Sequence, residues 1–150
     1  MKKTLLVAAL TVSALLTGAA QAQTMDAMTA NAAALYQSFG EKAGLVKLMD
    51  DFVPRLQADA RTGPHFTSAN VPNLKMQLVD QICQVTGGPC VYKGADMKSA
   101  HGSMDITKAD FNALVEVLQM SMDAQGISFG NQNQLLAKLA PMHRDVITVK

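Results

Sequence analysis

The sequence predicts an all-α protein, and three observations support this fold class. Methionine, leucine, alanine and glutamine are plentiful, tryptophan is absent and β-branched residues are sparse, a composition that favours helices over sheets. Apolar residues recur at helical spacing in several segments. Capping residues and glycine or proline breaks separate these segments. The 150 residues are enough for one domain with a buried core.

The first 22 residues are typical of a secretory signal peptide. Lys2 and Lys3 precede an apolar run, 5–16, and small and polar residues follow it. We expect cleavage after Ala22, so that 23–150 is the mature domain and is exported to the periplasm or an equivalent space. An uncleaved anchor is the alternative. We expect no membrane span after cleavage, because no later stretch has the roughly 20 apolar residues that a spanning helix needs.

The charge of the chain disfavours one class of partner. Without Lys2 and Lys3, the 13 basic residues fall to 11 against 12 acidic ones, which gives a net charge of about −1. A net charge so close to neutral disfavours the electrostatic attraction on which nucleic-acid binding depends. We therefore expect no nucleic-acid partner.

The first half of the mature chain predicts a short helix, a long helix and a corner. The short helix ends near Gly40. From 41 to about 58 the apolar residues share one helix face, and Pro54 is expected to kink this helix or sharpen its last turns. The residues on this face are Leu45, Leu48, Met49, Phe52 and Leu56. The segment 62–66 is predicted to be a corner.

A second long helix is expected to begin at Asn70, a suitable cap, with Pro72 in its first turn. Gly87-Gly88-Pro89 ends it. Its apolar face contains Leu74, Leu78 and Ile82, at steps of four residues. A loop then leads to a short helical segment, 97–103.

Two further helices complete the chain. Thr107 and Asp110 predict a capping box at the start of a long helix that Gly126 ends. Its apolar stripe consists of Phe111, Leu114, Val115, Leu118 and Met122. The last helix is expected to begin near Asn131 and to continue past Pro141. Its buried residues are predicted to be Leu135, Leu136, Leu139 and Val146.

The two cysteines have alternative interpretations that the sequence leaves open. Cys83 and Cys90 enclose a small loop, and an oxidising compartment would allow them to form a disulfide. The other possibility is two unpaired thiols. A zinc site is disfavoured, because the third and fourth ligands it needs are not at a familiar spacing.

Histidine is the strongest candidate for site chemistry, because the usual signatures of hydrolases and of phosphoryl transfer are missing. His101 lies on the short segment between Met97 and Met104, in an apolar context. A neutral imidazole directed from such a helix into an apolar slot is a suitable haem-iron ligand. The alternative is a hydrogen-bonded core histidine. His65 and His143 are interpreted as surface or capping residues.

Several short motifs follow one another along the segment 35–146. They are Leu35-Tyr36 with Gly40, DFVPRL at 51–56, Phe66, GGP at 87–89, Tyr92 with Gly94, and 97–101. This order resembles the group I truncated haemoglobins. The motifs are similar to that family's first helix and glycine corner, its second helix, its haem-packing phenylalanine, and its second glycine corner with the proximal segment.

The resemblance implies a truncated globin, in which two helix pairs pack one over the other around one b-type haem with a single iron. His101 is then the proximal iron ligand. The other residues implied to contact the haem are Phe66, Leu74, Lys75, Leu78, Tyr92 and Met97. The gas pocket is expected to contain Phe52, Val53, Gln77, Leu78 and Ile82. Tyr92 and Lys75 are candidates for contact with the haem propionates.

The sequence departs from the family on the ligand-binding side of the haem. Val53 stands where the family usually has a tyrosine that hydrogen-bonds the ligand, and Leu78 where it commonly has a glutamine. Gln77 is next to it, and an alignment shifted by one residue would exchange the roles of Gln77 and Leu78. Because valine cannot donate a hydrogen bond, we expect oxygen to leave quickly.

The expected function is reversible binding of oxygen, or of nitric oxide or carbon monoxide, at a histidine-ligated haem iron. The first alternative is an enzyme of the nitric oxide dioxygenase type, which would need an electron donor that the sequence does not identify. The second is a helical interaction module without haem, and such a protein would purify colourless.

Overall fold

The computed structural model describes residues 33–149. These residues form helices joined by turns and loops, without a β-strand, so the predicted all-α class is confirmed. The helices are α1 (33–38), α2 (Glu41–Ala58), α3 (Val71–Val85), α4 (Met97–His101), α5 (Lys108–Ala124), α6 (Phe129–Leu139) and α7 (His143–Val146). Short 3-10 helices occupy Gly63–Phe66 and Ala140–Met142. The predicted signal peptide lies outside the described residues.

The caps predicted from the sequence are present at the starts of α3 and α5. The side chain of Asn70 accepts a hydrogen bond of 3.1 Å from the backbone N–H of Asn73. Thr107 and Asp110 make both hydrogen bonds of a capping box. Each cap satisfies N–H groups that have no partner within the helix. The starting points of α3 and α5 are therefore fixed by local sequence.

The C-terminal helix differs from the prediction at both ends. It begins at Phe129, because the side chain of Ser128 accepts a hydrogen bond from the backbone N–H of Asn131 and caps it. It ends at Leu139, because Pro141 lacks the N–H that the next turn of an α-helix requires. A 3-10 helix and then α7 follow. The prediction of one helix continuing past the proline is therefore wrong.

The four longest helices enclose the core. α2 packs against α3 and α5, α6 packs against the same two helices, and α4 lies against α7. The core side chains come largely from the predicted apolar faces, and they include Leu45, Leu48, Met49, Phe52, Leu56, Ile82, Leu118, Met122 and Leu135. Within residues 33–149, no helix is both long enough and apolar enough to cross a membrane.

Cys83 and Cys90 form a disulfide, with their Cα atoms 5.7 Å apart. The bond ties the last turn of α3 to the loop that leads to α4. Gly88 lies inside this corner, where a Cβ atom would come within 2.7 Å of the Cys83 sulfur and the Tyr36 ring. The disulfide and the aromatic ring therefore leave room only for glycine at this position.

Reduction of this disulfide is expected to lower the free energy of unfolding by about 2–3 kcal/mol, because the closed loop no longer restricts the unfolded chain. Urea unfolding of the oxidised and the reduced protein measures the difference. Thiol labelling of the unfolded, unreduced protein is the control, and it should find no free thiol. Two reactive thiols before reduction would contradict the bond.

Candidate functional site

A cavity of about 640 Å³ lies between α2, α3, α5 and α6. The 3-10 helix Gly63–Phe66, α4 and the C-terminal segment after α6 complete its wall. Most of the lining is apolar, and it includes Met49, Phe52, Leu78, Ile82, Leu114, Leu118, Leu136 and Leu139. This volume falls within the range of small-molecule and cofactor sites, which also combine an apolar wall with a few polar groups.

His101 lines the cavity from the last position of α4. Its Nδ1 atom is 2.8 Å from the backbone carbonyl oxygen of Met97. Because a carbonyl oxygen only accepts hydrogen bonds, Nδ1 donates and carries the proton. The lone pair of the neutral imidazole is then on Nε2, which has no hydrogen-bond partner within residues 33–149. The imidazole thus offers one nitrogen ligand to whatever occupies the cavity.

The helix that positions His101 is only five residues long and depends on its cap. The carboxylate of Asp96 accepts hydrogen bonds from the backbone N–H of Ser99 (2.9 Å) and from its hydroxyl (2.7 Å). These hydrogen bonds lower the pKa of the Asp96 carboxyl. The negative charge at this end also suits the helix dipole. The local sequence therefore sets the start of α4 at Met97, four residues before His101.

α3 presents both apolar and amide groups to the cavity. Its lining residues are Leu74, Gln77, Leu78, Gln81 and Ile82, which are three or four positions apart along one face. The amide of Gln81 is directed to two methionine sulfur atoms. The amide of Gln77 has no hydrogen-bond partner in the part of the chain that the structure describes. Gln77 is therefore the α3 side chain available to donate to a small ligand.

Most of the predicted site residues meet at this cavity. Those that line it are Phe52, Phe66, Leu74, Gln77, Leu78, Ile82, Tyr92, Met97 and His101. Val53 and Lys75 are not part of the wall. Val53 is 0% exposed and packs in the core, since consecutive residues of a helix point in different directions and Phe52 faces the cavity. Lys75 instead pairs with Asp50 of α2, at 2.8 Å.

Tyr92 lies at the cavity wall, but its hydrogen bonds are made within its own loop. Its hydroxyl donates to the carbonyl oxygen of Ala95 at 2.8 Å, and its backbone N–H donates to the side-chain oxygen of Gln84 at 2.6 Å. Burial raises the pKa of the phenol, and the charge of Asp96 raises it further. The phenol is therefore protonated near neutral pH and already has an acceptor.

His65, which the sequence indicates as a surface or capping residue, lies in the cavity wall. Its Nε2 atom is 3.6 Å from a carboxylate oxygen of Asp110. Hydrogen bonds from the Thr107 hydroxyl and backbone N–H lower the pKa of the Asp110 carboxyl, and His65 lowers it further. The only sequence signal was the position of His65 beside Phe66 in the corner. His143 is exposed, and its Nδ1 lies 2.8 Å from the carbonyl oxygen of Ala140.

Comparison with known proteins gives a consistent result. The sequence matches the family described as bacterial-like globin over residues 34–148. A group 1 truncated hemoglobin from Mycolicibacterium paratuberculosis is 29% identical over 119 residues, which are 79% of this chain and 88% of that protein.

Two solved structures show the same fold. Truncated hemoglobin from Tetrahymena pyriformis, in the Fe(III) form, has a TM-score of 0.73 and 23% identity, and the match covers 75% of this chain and 97% of that one. The 2/2 hemoglobin from Synechococcus sp. PCC 7002, solved with covalently attached heme, has a TM-score of 0.71 and 21% identity with the same coverage. These similarities confirm the fold predicted from the order of the motifs.

Proposed function

The chain belongs to the bacterial-like globin family, and on that basis we propose that Nε2 of His101 holds the iron of one b-type haem in the cavity. Membership of this family makes the chain a haem protein that binds a diatomic gas. The observation that supports His101 as the ligand is the hydrogen bond from its Nδ1 to the Met97 carbonyl, which in the neutral imidazole places the lone pair on Nε2 at the cavity wall.

The residues of the cavity fit a haem in three respects. The volume is that of a cofactor site, the wall is largely apolar, and an imidazole nitrogen would be available to hold the iron. Phe66, Leu74 and Leu78 provide apolar surface for the ring. When bound, haem would supply an iron that binds a diatomic gas.

Three groups of this chain have separate tasks. The Met97 carbonyl fixes the tautomer and orientation of the His101 imidazole. It also makes Nε2 a more basic ligand for the iron. The apolar wall excludes water from the gas. The amide of Gln77 can donate a hydrogen bond to a polar gas such as oxygen. The protein thus holds the haem through His101 on one side of the cavity and controls gas release through Gln77 on another.

Titration of the apoprotein with hemin tests the proposed cofactor. We expect a haem absorption band that saturates at one haem per chain. The cavity has room for a single haem, and His101 is the lining histidine whose Nδ1 is held by a carbonyl. A protein that shows no saturable absorption change would favour the interaction module without haem.

Turnover of nitric oxide would need an electron donor in addition to gas binding. Reversible binding of oxygen, nitric oxide or carbon monoxide is therefore the activity that we propose. Consumption of nitric oxide by the oxygenated protein is followed in excess oxygen with a chemical reductant, because each oxidation of nitric oxide to nitrate uses one oxygen molecule and leaves an oxidised iron that one electron must reduce. Repeated turnover would favour the dioxygenase, and a single stoichiometric reaction would favour the binding protein.

We also propose that the protein is exported and that the leader is cleaved after Ala22. The Cys83–Cys90 disulfide supports this location, because such bonds persist in oxidising compartments and are rare in the cytosol. Mass spectrometry of the protein from the exported fraction should give a mature chain that begins at Gln23. An intact chain beginning at Met1 in the cytosol would contradict the proposal.

A further inference from the structure

Gln81 is an amide on the otherwise largely apolar cavity face of α3. It follows Leu74 and Leu78 and immediately precedes Ile82, and its side chain is partly buried. A polar group in an apolar wall is costly unless it is hydrogen-bonded. A glutamine at this position therefore needs a hydrogen-bond partner. Without one, an apolar side chain of similar size would be more stable in the cavity wall.

The amide of Gln81 has two partners, which belong to different elements. Its Nε2 atom is 3.5 Å from the sulfur of Met97 in α4 and 3.7 Å from the sulfur of Met142 in the 3-10 helix after α6. All three side chains line the cavity. A thioether is a weak acceptor, but the two hydrogens of the amide allow both contacts at once. One side chain thus joins α3 to two other parts of the cavity wall.

Met97 in turn contacts His101, the proposed iron ligand. Its sulfur accepts from Gln81, and its backbone carbonyl accepts from Nδ1 of His101. α4 has only five residues, fewer than an isolated helix needs to be stable, so its position depends on contacts with its neighbours. A continuous set of contacts therefore runs from α3 through Met97 to the imidazole.

We propose that Gln81 is a positioning residue, which holds Met97 and through it fixes the orientation of His101 toward the iron. This inference rests on the proposed role of His101. Its consequence is a more uniform imidazole orientation and slower loss of haem than an apolar residue at the same position would give.

The test compares Gln81→Met with Gln134→Met in the haem-loaded protein. Both substitutions replace a helical glutamine with methionine, but Gln134 is an exposed residue of α6 outside the cavity wall, and only Gln81 contacts the two sulfur atoms. In the reduced protein, we expect Gln81→Met to shift or broaden the iron–histidine stretching band measured by resonance Raman. We also expect haem transfer to an excess of an acceptor apoprotein to become about threefold to tenfold faster. Gln134→Met should leave the band unchanged and haem transfer close to the wild-type rate.

Met97→Leu provides a second and independent variant, because it removes the sulfur and keeps the backbone carbonyl. Since both substitutions break the same contact, the double variant should lose haem no faster than the faster single variant. A wild-type band in Gln81→Met, equal effects in the two glutamine variants, or additive rates would overturn the inference. If the wild-type protein itself has no iron–histidine band, the proposed role of His101 fails instead, so the two failures are distinguishable.

Discussion

Replacing His101 with alanine is expected to abolish stable haem binding. The imidazole lines the cavity with its Nδ1 held by the Met97 carbonyl, and alanine offers the iron no ligand. The absorption spectrum after gel filtration should lack the haem band of the wild-type protein. In His101→Gly, added imidazole should occupy the vacated space and restore much of the band, which would show that the lost group acted as a ligand and not as a folding determinant.

Alanine variants of the other two histidines are the matched controls. His65 also lines the cavity, so that His65→Ala tests whether the iron has been assigned to the wrong imidazole. His143 is exposed, and His143→Ala should have no effect. Both variants should retain nearly all of the haem. A normal spectrum in His101→Ala, or loss of haem from His65→Ala, would refute the assignment.

Gln77→Leu is expected to speed oxygen dissociation about ten- to a hundredfold. The amide of Gln77 lines the cavity and has no hydrogen-bond partner among residues 33–149, so it can donate a hydrogen bond to oxygen. A hydrogen bond to a partly charged ligand is worth roughly 1.5–3 kcal/mol, and leucine of similar size cannot donate one. Carbon monoxide accepts hydrogen bonds more weakly and should dissociate at nearly the same rate from both proteins. Stopped-flow mixing measures the rates for the two gases.

Val53→Tyr is the informative comparison for the same experiment. A tyrosine is usual at this position in the family that the sequence resembles, but the structure buries Val53 in the core and not in the cavity wall. The larger side chain should therefore cost about 1–3 kcal/mol of stability through overpacking, and it should not slow oxygen release. Slower release from Val53→Tyr together with an unchanged rate in Gln77→Leu would show that the gas pocket described here is wrong.

The helices could be predicted from the sequence because their determinants are local. Three features are examples: the apolar face of α2, the Asn70 cap and the Thr107–Asp110 capping box. Each depends on residues that are only a few positions apart in the sequence. The C-terminal helix was misjudged because its apolar spacing continues through Pro141, where the missing N–H ends the α-helix whatever the spacing.

The site was less predictable, because its contacts join distant parts of the chain. His101 is predicted as the iron ligand from the order of motifs around it, since a single histidine has no spacing to recognise. The partners of Gln81 are 16 and 61 residues away, and no local pattern indicates them. Phe52 and Val53 are adjacent, and only the packing of α2 decides which of the two faces the cavity.

A crystal structure of the haem-loaded protein tests the central claim most directly. We predict one haem in the cavity between α2, α3, α5 and α6, with Nε2 of His101 coordinated to the iron. Nδ1 of the same ring should still donate to the Met97 carbonyl. Coordination of the iron by His65 or His143, or a haem bound outside this cavity, would contradict the account.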